Sequence, residues 1–337
     1  MSLRRVLLLL VTAVALVLVS PVLVDVYSEV GDSVALSRWW LGAIAAVVSL
    51  QMIANWELHR IILRTPKWFD IAAPQLVSNA ASHLLPGGNA IGAGLQVRML
   101  TTAGFAVPRI VTALGAVGII GTVSGFVVLP LVVLAASAAG TRIDSSLIVG
   151  MWVGAAILLV LLIGLVAVAT RDRPWHWIAG AVSWGQVRLR HRSDADELEH
   201  RLLRERDRIT DAVRDRAALV ALIALARPVC DYLALLFSLR AVGAHVNPAA
   251  VLAAFIVSNI AGMIPLTPGG LGFVEASLGG VLTVAGASDL HAHLAVATYR
   301  VGETWLPCVA GAIALFLFER RHREPKLDPA LATQPAP

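Results

Sequence analysis

Apolar residues fall in long blocks separated by short charged loops, a pattern far longer than the periods of soluble helices or strands. Six runs with little or no charge are long enough to cross about 30 Å of hydrocarbon at about 1.5 Å per residue. They are Val6 to Val24, Trp39 to Trp56, Ile110 to about Ser137, Leu147 to Thr170, Ala217 to Leu239 and Leu294 to Phe318. Two further segments, 71–97 and 248–285, read differently: an apolar piece, a Pro-Gly-Gly break, then a second apolar piece. Six full spans already leave both termini on one side. Each broken segment must therefore return to its own face. The pattern predicts an all-α polytopic membrane protein with about six full transmembrane helices plus two re-entrant helical hairpins.

Composition agrees. Only 15% of the 337 residues are charged, against about 25% in an ordinary soluble protein. The net charge of +5 does not imply nucleic acid, because the basic residues collect in short loops between apolar runs. Arg4 and Arg5, then Arg60, Arg64 and Lys67, the stretch 171–216, and Arg320, Arg321 and Arg323 mark one side. By the positive-inside rule that side is the cytoplasm, with both termini in it. The acidic loop from Asp25 to Arg38 lies outside. Tryptophans at span edges (Trp39, Trp40, Trp56, Trp68, Trp175) suit the headgroup layer. The run after Arg5 lacks an A-x-A cleavage site and is read as a retained first span.

The two broken segments resemble each other. Residues 76–88 read LVSNAASHLLPGG and residues 256–270 read IVSNIAGMIPLTPGG. Ser78-Asn79 matches Ser258-Asn259, and Pro86-Gly87-Gly88 matches Pro268-Gly269-Gly270. Three full spans separate them, so their orientations are opposite, as in transporters built on an inverted repeat with a site near the midplane. Pro86 and Pro268 end the entering helices, and Gly87, Gly88, Gly269, Gly270 and Gly272 permit close approach and unusual dihedrals. Irregular backbone survives at this depth only against protein or a wet cavity. Helix N-termini after the breaks would offer N–H groups to an anion, with Asn79 and Asn259 beside them. The competing reading is a pair of ordinary kinked spans.

Charges at membrane depth sharpen the site. Arg227 and Asp231 share a helix face at i, i+4, and Arg300 and Glu303 do so at i, i+3. Glu275 follows the second break and Arg98 the first. Intramembrane ionisable groups face the bundle interior and pair with one another, so Arg227 and Asp231 are expected to neutralise each other. One arginine against Glu275 and Glu303 leaves a spare acid. Arg300, Arg98, Asn79, Asn259, Gly87, Gly88, Gly269 and Gly270 are the candidate headgroup-binding residues. Glu275, Glu303 and Asp231 are the candidate proton- or ion-coupling groups.

The remaining signals are quieter. Cys230 and Cys308 read as small core residues, His83 as a structural histidine, and His291 and His293 as an outer loop. No catalytic motif, metal set or cofactor motif is present, so no cofactor and no enzymatic chemistry is expected. Residues 194–216 carry Leu198, Leu202, Ile209 and Val213 on one stripe of a charged helix. That helix is either packed on the bundle or a surface for a second copy or a partner enzyme. The expected organisation is a first membrane half (1–170), a cytoplasmic linker (171–216), a second half (217–320) and a tail (321–337).

TPGGLGFVEA (267–276), LPGGNAIGAG (85–94) and YRVGETWLPCVAG (299–311) resemble the flippase-like family named for the transmembrane region of lysylphosphatidylglycerol synthases. The resemblance implies a membrane region that translocates a lipid. Its matching positions are Pro268, Gly269, Gly270, Gly272, Glu275 and Arg300, with Pro86, Gly87 and Gly88 in a weaker first copy. Asn89 and Ala90 stand where relatives often carry charge. No aminoacyl-transfer domain is seen, so lipid synthesis is not carried over. The expected function is a flippase of the bacterial inner membrane for an anionic phospholipid or polyprenyl-linked lipid. The alternative is a non-transporting scaffold or accessory subunit of a lipid or cell-wall synthesis enzyme.

Overall fold

The computed structural model describes residues 38–85, 88–138, 195–248, 250–252, 254–255 and 272–322, with Val160 and Gly164 as isolated helical positions. The described residues form helices and connecting turns, with no strand among them. In chain order the helices are α1 (Arg38–Leu63), α2 (Phe69–Leu84), α3 (Gly88–Thr102), α4 (Val107–Ala138), α5 (Ala195–Asp215), α6 (Ala217–Ala241), α7 (Phe273–Val284), α8 (Asp289–Arg300) and α9 (Leu306–Arg321). A π-helical turn, Val301–Trp305, joins α8 to α9.

Among the described residues, four segments are long and apolar enough to cross a membrane: Trp39–Leu63, Val107–Gly125, Ala217–Ala241 and Asp289–Arg321. They match four of the six runs expected from the pattern. The other two, Val6 to Val24 and Leu147 to Thr170, lie outside the described residues apart from Val160 and Gly164.

The first broken segment is a helical hairpin. Its arms, α2 and α3, are 16 and 15 residues long, so each reaches only about 24 Å. Leu85, just before Pro86, is extended at φ −111°, ψ 142°, as the proline's ring demands of its predecessor. A Cβ on Gly88 would lie 2.4 Å from the Ser82 carbonyl oxygen, and one on Gly92 would lie 2.5 Å from that of Ser78. The contacts run in opposite directions along the two helices, so the arms are antiparallel. Small residues at i and i+4 allow that approach. Pro86 and Gly87 themselves are outside the described residues.

Of the second broken segment, residues 248, 250–252 and 254–255 are helical, and α7 follows the break. The break between them, with Asn259, Pro268, Gly269 and Gly270, lies outside the described residues. Gly272 precedes α7 at φ +83°, a conformation that suits glycine.

The core is arranged around α1 and α6. Ile44 and Val48 share one cluster with Leu235 and Leu239, while Leu58 and Ile62 share another with Val220. The two helices are therefore antiparallel. α9 packs on α2, where Gly311 brings the backbones together: a Cβ there would lie 2.6 Å from the Leu76 carbonyl oxygen. Phe69 stacks on Phe318 at 6.4 Å, and His322 Nε2 lies 3.7 Å from buried Asp70. The ends of α1 and α9 and the start of α6 thus share one face of the bundle, the face with Arg60, Arg64, Lys67, Arg320 and Arg321.

α5 lays Leu202 and Ile209 of its apolar stripe on the bundle, with Val213 half-buried. Leu202 and Ile209 are buried, and α5 packs on α4, α1 and α6. Arg201, Arg204, Asp207, Arg208 and Asp211 on its other face are exposed.

Candidate functional site

The last long helix is regular until Tyr299-Arg300 and then widens for one turn. Pro307 has no N–H to give the Glu303 carbonyl, which interrupts the i to i−4 ladder. The Leu306 N–H reaches back to the Val301 carbonyl instead. Such single π turns occur often at functional positions. Gly302 lets this wide turn sit on α1: a Cβ there would meet Ile44 Cγ2 at 2.7 Å.

The turn gathers Arg300, Glu303 and Thr304 toward α7. The Arg300 side chain is 9% exposed and its Nε lies 2.8 Å from Glu275 Oε1. That is an ionic contact without hydrogen-bond alignment. Nη1 donates to Thr304 Oγ1 at 3.2 Å and lies 3.8 Å from Glu303 Oε2. The Thr304 hydroxyl donates in turn to Glu303 Oε2 at 3.0 Å. Nη2 is buried and has no hydrogen-bond partner among the described residues.

Glu275 has two duties. One oxygen faces Arg300, and the other accepts from the Gly272 N–H at 2.6 Å. It is the third residue of α7, so its charge also meets the positive end of the helix dipole. The expectation that this N-terminus stands free for an anion is corrected here: the helix's own glutamate fills it.

Asp231 joins the cluster from α6. Tyr299 donates its hydroxyl to Asp231 Oδ1 at 2.9 Å, and Asp231 is within electrostatic reach of Glu303, Arg227 and Arg300. α6 spans 25 residues, so Asp231 sits near its middle, as Arg300 and Glu303 do in the span Asp289–Arg321. The expected Arg227–Asp231 ion pair does not form within 4 Å. Pro228 sits between them, and Arg227 points its Nη1 toward Gly121 on α4.

Sequence reasoning therefore found Arg300, Glu275, Glu303 and Asp231, which the fold brings together. It missed Tyr299 and Thr304, although each flanks a flagged charge. It also missed His59 and Gln96, both buried, which touch across α1 and α3. A lone polar group inside an apolar run was their only signal. Arg98 is exposed on α3 and in no ion pair among the described residues. Asn79 is half-buried on α2, where its backbone carbonyl faces His83 Nδ1 at 2.9 Å. Gly88 serves the hairpin's packing. Cys230 and Cys308 are buried free thiols.

Long apolar helices around a buried charge cluster define a multi-pass membrane protein. The family model described as the lysylphosphatidylglycerol synthase TM region matches residues 6–311, and the chain belongs to that family. Neither the curated proteins nor the solved structures yield a match.

Proposed function

We propose that the protein translocates an anionic lipid, with the headgroup phosphate passing Arg300 while the acyl tails remain in the bilayer. The observation that carries this reading is the Arg300 guanidinium itself. It is more than nine-tenths buried, and its Nη2 has no hydrogen-bond partner among the described residues. Burying a charge with unmet donors is costly, and a phosphate oxygen is the acceptor that fits a guanidinium fork best. Glu275 and Glu303 hold the guanidinium when no lipid is present. As the phosphate arrives, one of them gives way and takes a proton or a cation; Asp231 extends the same acidic group. Family membership supports a role in lipid metabolism.

The finer architecture belongs to the same proposal. The α2–α3 hairpin is one re-entrant arm pair, and 248–285 is its inverted counterpart from the opposite face. The bacterial inner membrane is the proposed site, with the basic face in the cytoplasm.

Purified protein reconstituted with fluorescent phosphatidylglycerol tests the proposal. Wild type is expected to move label between leaflets, and Arg300→Ala/Glu275→Ala to lose the activity. Equal rates in both would refute it. The scaffold alternative would use the exposed face of α5, because Leu202 and Ile209 of its apolar stripe are already buried. Arg204→Glu/Arg208→Glu would then abolish partner capture, whereas the translocation reading predicts an unchanged rate.

A further inference from the structure

The donors of Arg300 are unevenly used. Nη1 donates to Thr304 Oγ1. Nε and Nη2 share the side-on edge of the guanidinium, and both are buried without a hydrogen-bond partner among the described residues. Glu275 Oε1 balances their charge from 2.8 Å but is out of line with the Nε–H. Its other oxygen is committed to the Gly272 N–H at 2.6 Å, so the carboxylate bridges two positions and does not lie flat on the fork. The edge that fits two oxygens of one anion is neutralised but not hydrogen-bonded.

The three nearby acids differ in how firmly they are held. Glu303 accepts from the Thr304 hydroxyl in its own turn, and Asp231 accepts from Tyr299. Glu275 has only Arg300 itself and one backbone N–H. Its side chain is also the more accessible of the arginine's two carboxylates, at 31% against 22% for Glu303. A Glu275 carboxylate that leaves turns to the accessible side, so no unpaired charge is stranded in the interior. Gly272 itself is exposed, and a Cβ there would meet nothing within 4 Å, so the space beside its N–H is open.

We propose that Glu275 is a built-in plug in a phosphodiester site formed by the Nε–Nη2 edge of Arg300 and the Gly272 N–H at the start of α7. A phosphodiester spreads one negative charge over two non-bridging oxygens, as a carboxylate does. It therefore replaces Glu275 with no change in the charge of the cluster. Displacing Glu275 uncaps α7. One phosphate oxygen then takes the guanidinium edge and the other takes the freed N–H, at the positive end of the helix. This rests on the translocation reading and names the acid that yields and the second clamp on the headgroup.

Calorimetric titration of the purified full chain with dihexanoyl phosphatidylglycerol tests it. Glu275→Gln is expected to bind about tenfold more tightly than wild type, and Glu303→Gln, which removes the same charge beside the same arginine, to gain less. Glu275→Asp is too short to bridge both contacts yet still caps a helix, and it too is expected to bind more tightly; it serves if the glutamine variant folds poorly. Arg300→Gln is expected to abolish binding. Hydrogen exchange of the 272–276 backbone in Glu275→Gln reads the other clamp, and the lipid is expected to slow it. Inorganic phosphate that competes with the lipid in Glu275→Gln assigns the site to any phosphate; no competition assigns it to a lipid headgroup. Wild-type affinity in both Glu275 variants, or a larger gain in Glu303→Gln, would overturn this inference and, with binding still lost in Arg300→Gln, leave the translocation reading intact. Lipid binding with unslowed exchange at 272–276 would overturn it too, by taking the helix start out of the site. No binding to wild type or to either Glu275 variant would remove both.

Discussion

Glu275 and Arg300 meet at 2.8 Å although 25 residues separate them, and the same glutamate accepts from the N–H of Gly272 at 2.6 Å. One carboxylate therefore caps a helix and holds a buried guanidinium. The start of α7 and the π turn before α9 are tied together through it. Any anion that competes for Arg300 also loosens the N-terminus of α7.

That coupling sets the effect of charge removal. Arg300→Leu leaves Glu275 and Glu303 without their cation, and breaking one side of a buried pair costs about 3–5 kcal/mol. The triple variant Arg300→Leu/Glu275→Gln/Glu303→Gln removes the imbalance and is expected to regain much of that loss. Thermal melts in detergent compare the two. A triple variant less stable than the single one would show that the cluster is not governed by charge balance.

Gly272 holds φ +83°, where an L side chain costs about 1 kcal/mol or more. Gly272→Ala should lower the melting temperature, and Glu275→Gln, which weakens the cap and the ion pair, should lower it too. Because both act on the same turn, the double variant is expected to lose less than the sum. A strictly additive result would place them in independent roles.

The hairpin's dependence on small residues is equally direct. Gly311→Val and Gly92→Val each drive a side chain into a backbone carbonyl, at 2.6 Å from Leu76 and 2.5 Å from Ser78. Overpacking of this kind typically costs about 1–3 kcal/mol, and a carbonyl on a packed helix has little room to move. Both variants are expected to melt early, while Gly94→Val, with nothing within 4 Å, is expected to melt near wild type.

α5 supplies a fourth prediction. Leu202 is fully buried at 0% exposure, and Leu→Ala at such a site costs about 2–5 kcal/mol. Leu202→Ala should therefore destabilise the membrane bundle, measured by the same melts. Wild-type stability would mean that the helix is not part of the core.

Much of this was legible in the sequence. Four long spans showed as uninterrupted apolar runs, because a membrane helix must be apolar on most sides. The first hairpin showed through Pro86-Gly87-Gly88, since proline and glycine mark where a helix stops. Arg300, Glu275 and Glu303 stood out because charge is rare at that depth. What escaped is what depends on tertiary geometry. Nothing local says that Pro307 opens a π turn, or that Glu275 turns back to its own Gly272. Arg227 and Asp231 have the spacing of a helix ion pair, yet tertiary partners draw them apart: Tyr299 takes Asp231, and Gly121 makes room for Arg227. Gln96 and His59 are 37 residues apart, a contact no periodicity announces.

The most direct measurement of the central claim is the rate at which phosphatidylglycerol crosses vesicles containing Arg300→Lys. Lysine keeps the charge but loses the planar fork, so the account predicts a protein that folds and moves lipid at least about tenfold more slowly, a difference of about 1.4 kcal/mol at the barrier. A rate equal to wild type, in vesicles where empty controls stay silent, would show that the guanidinium at this buried position does not handle the headgroup.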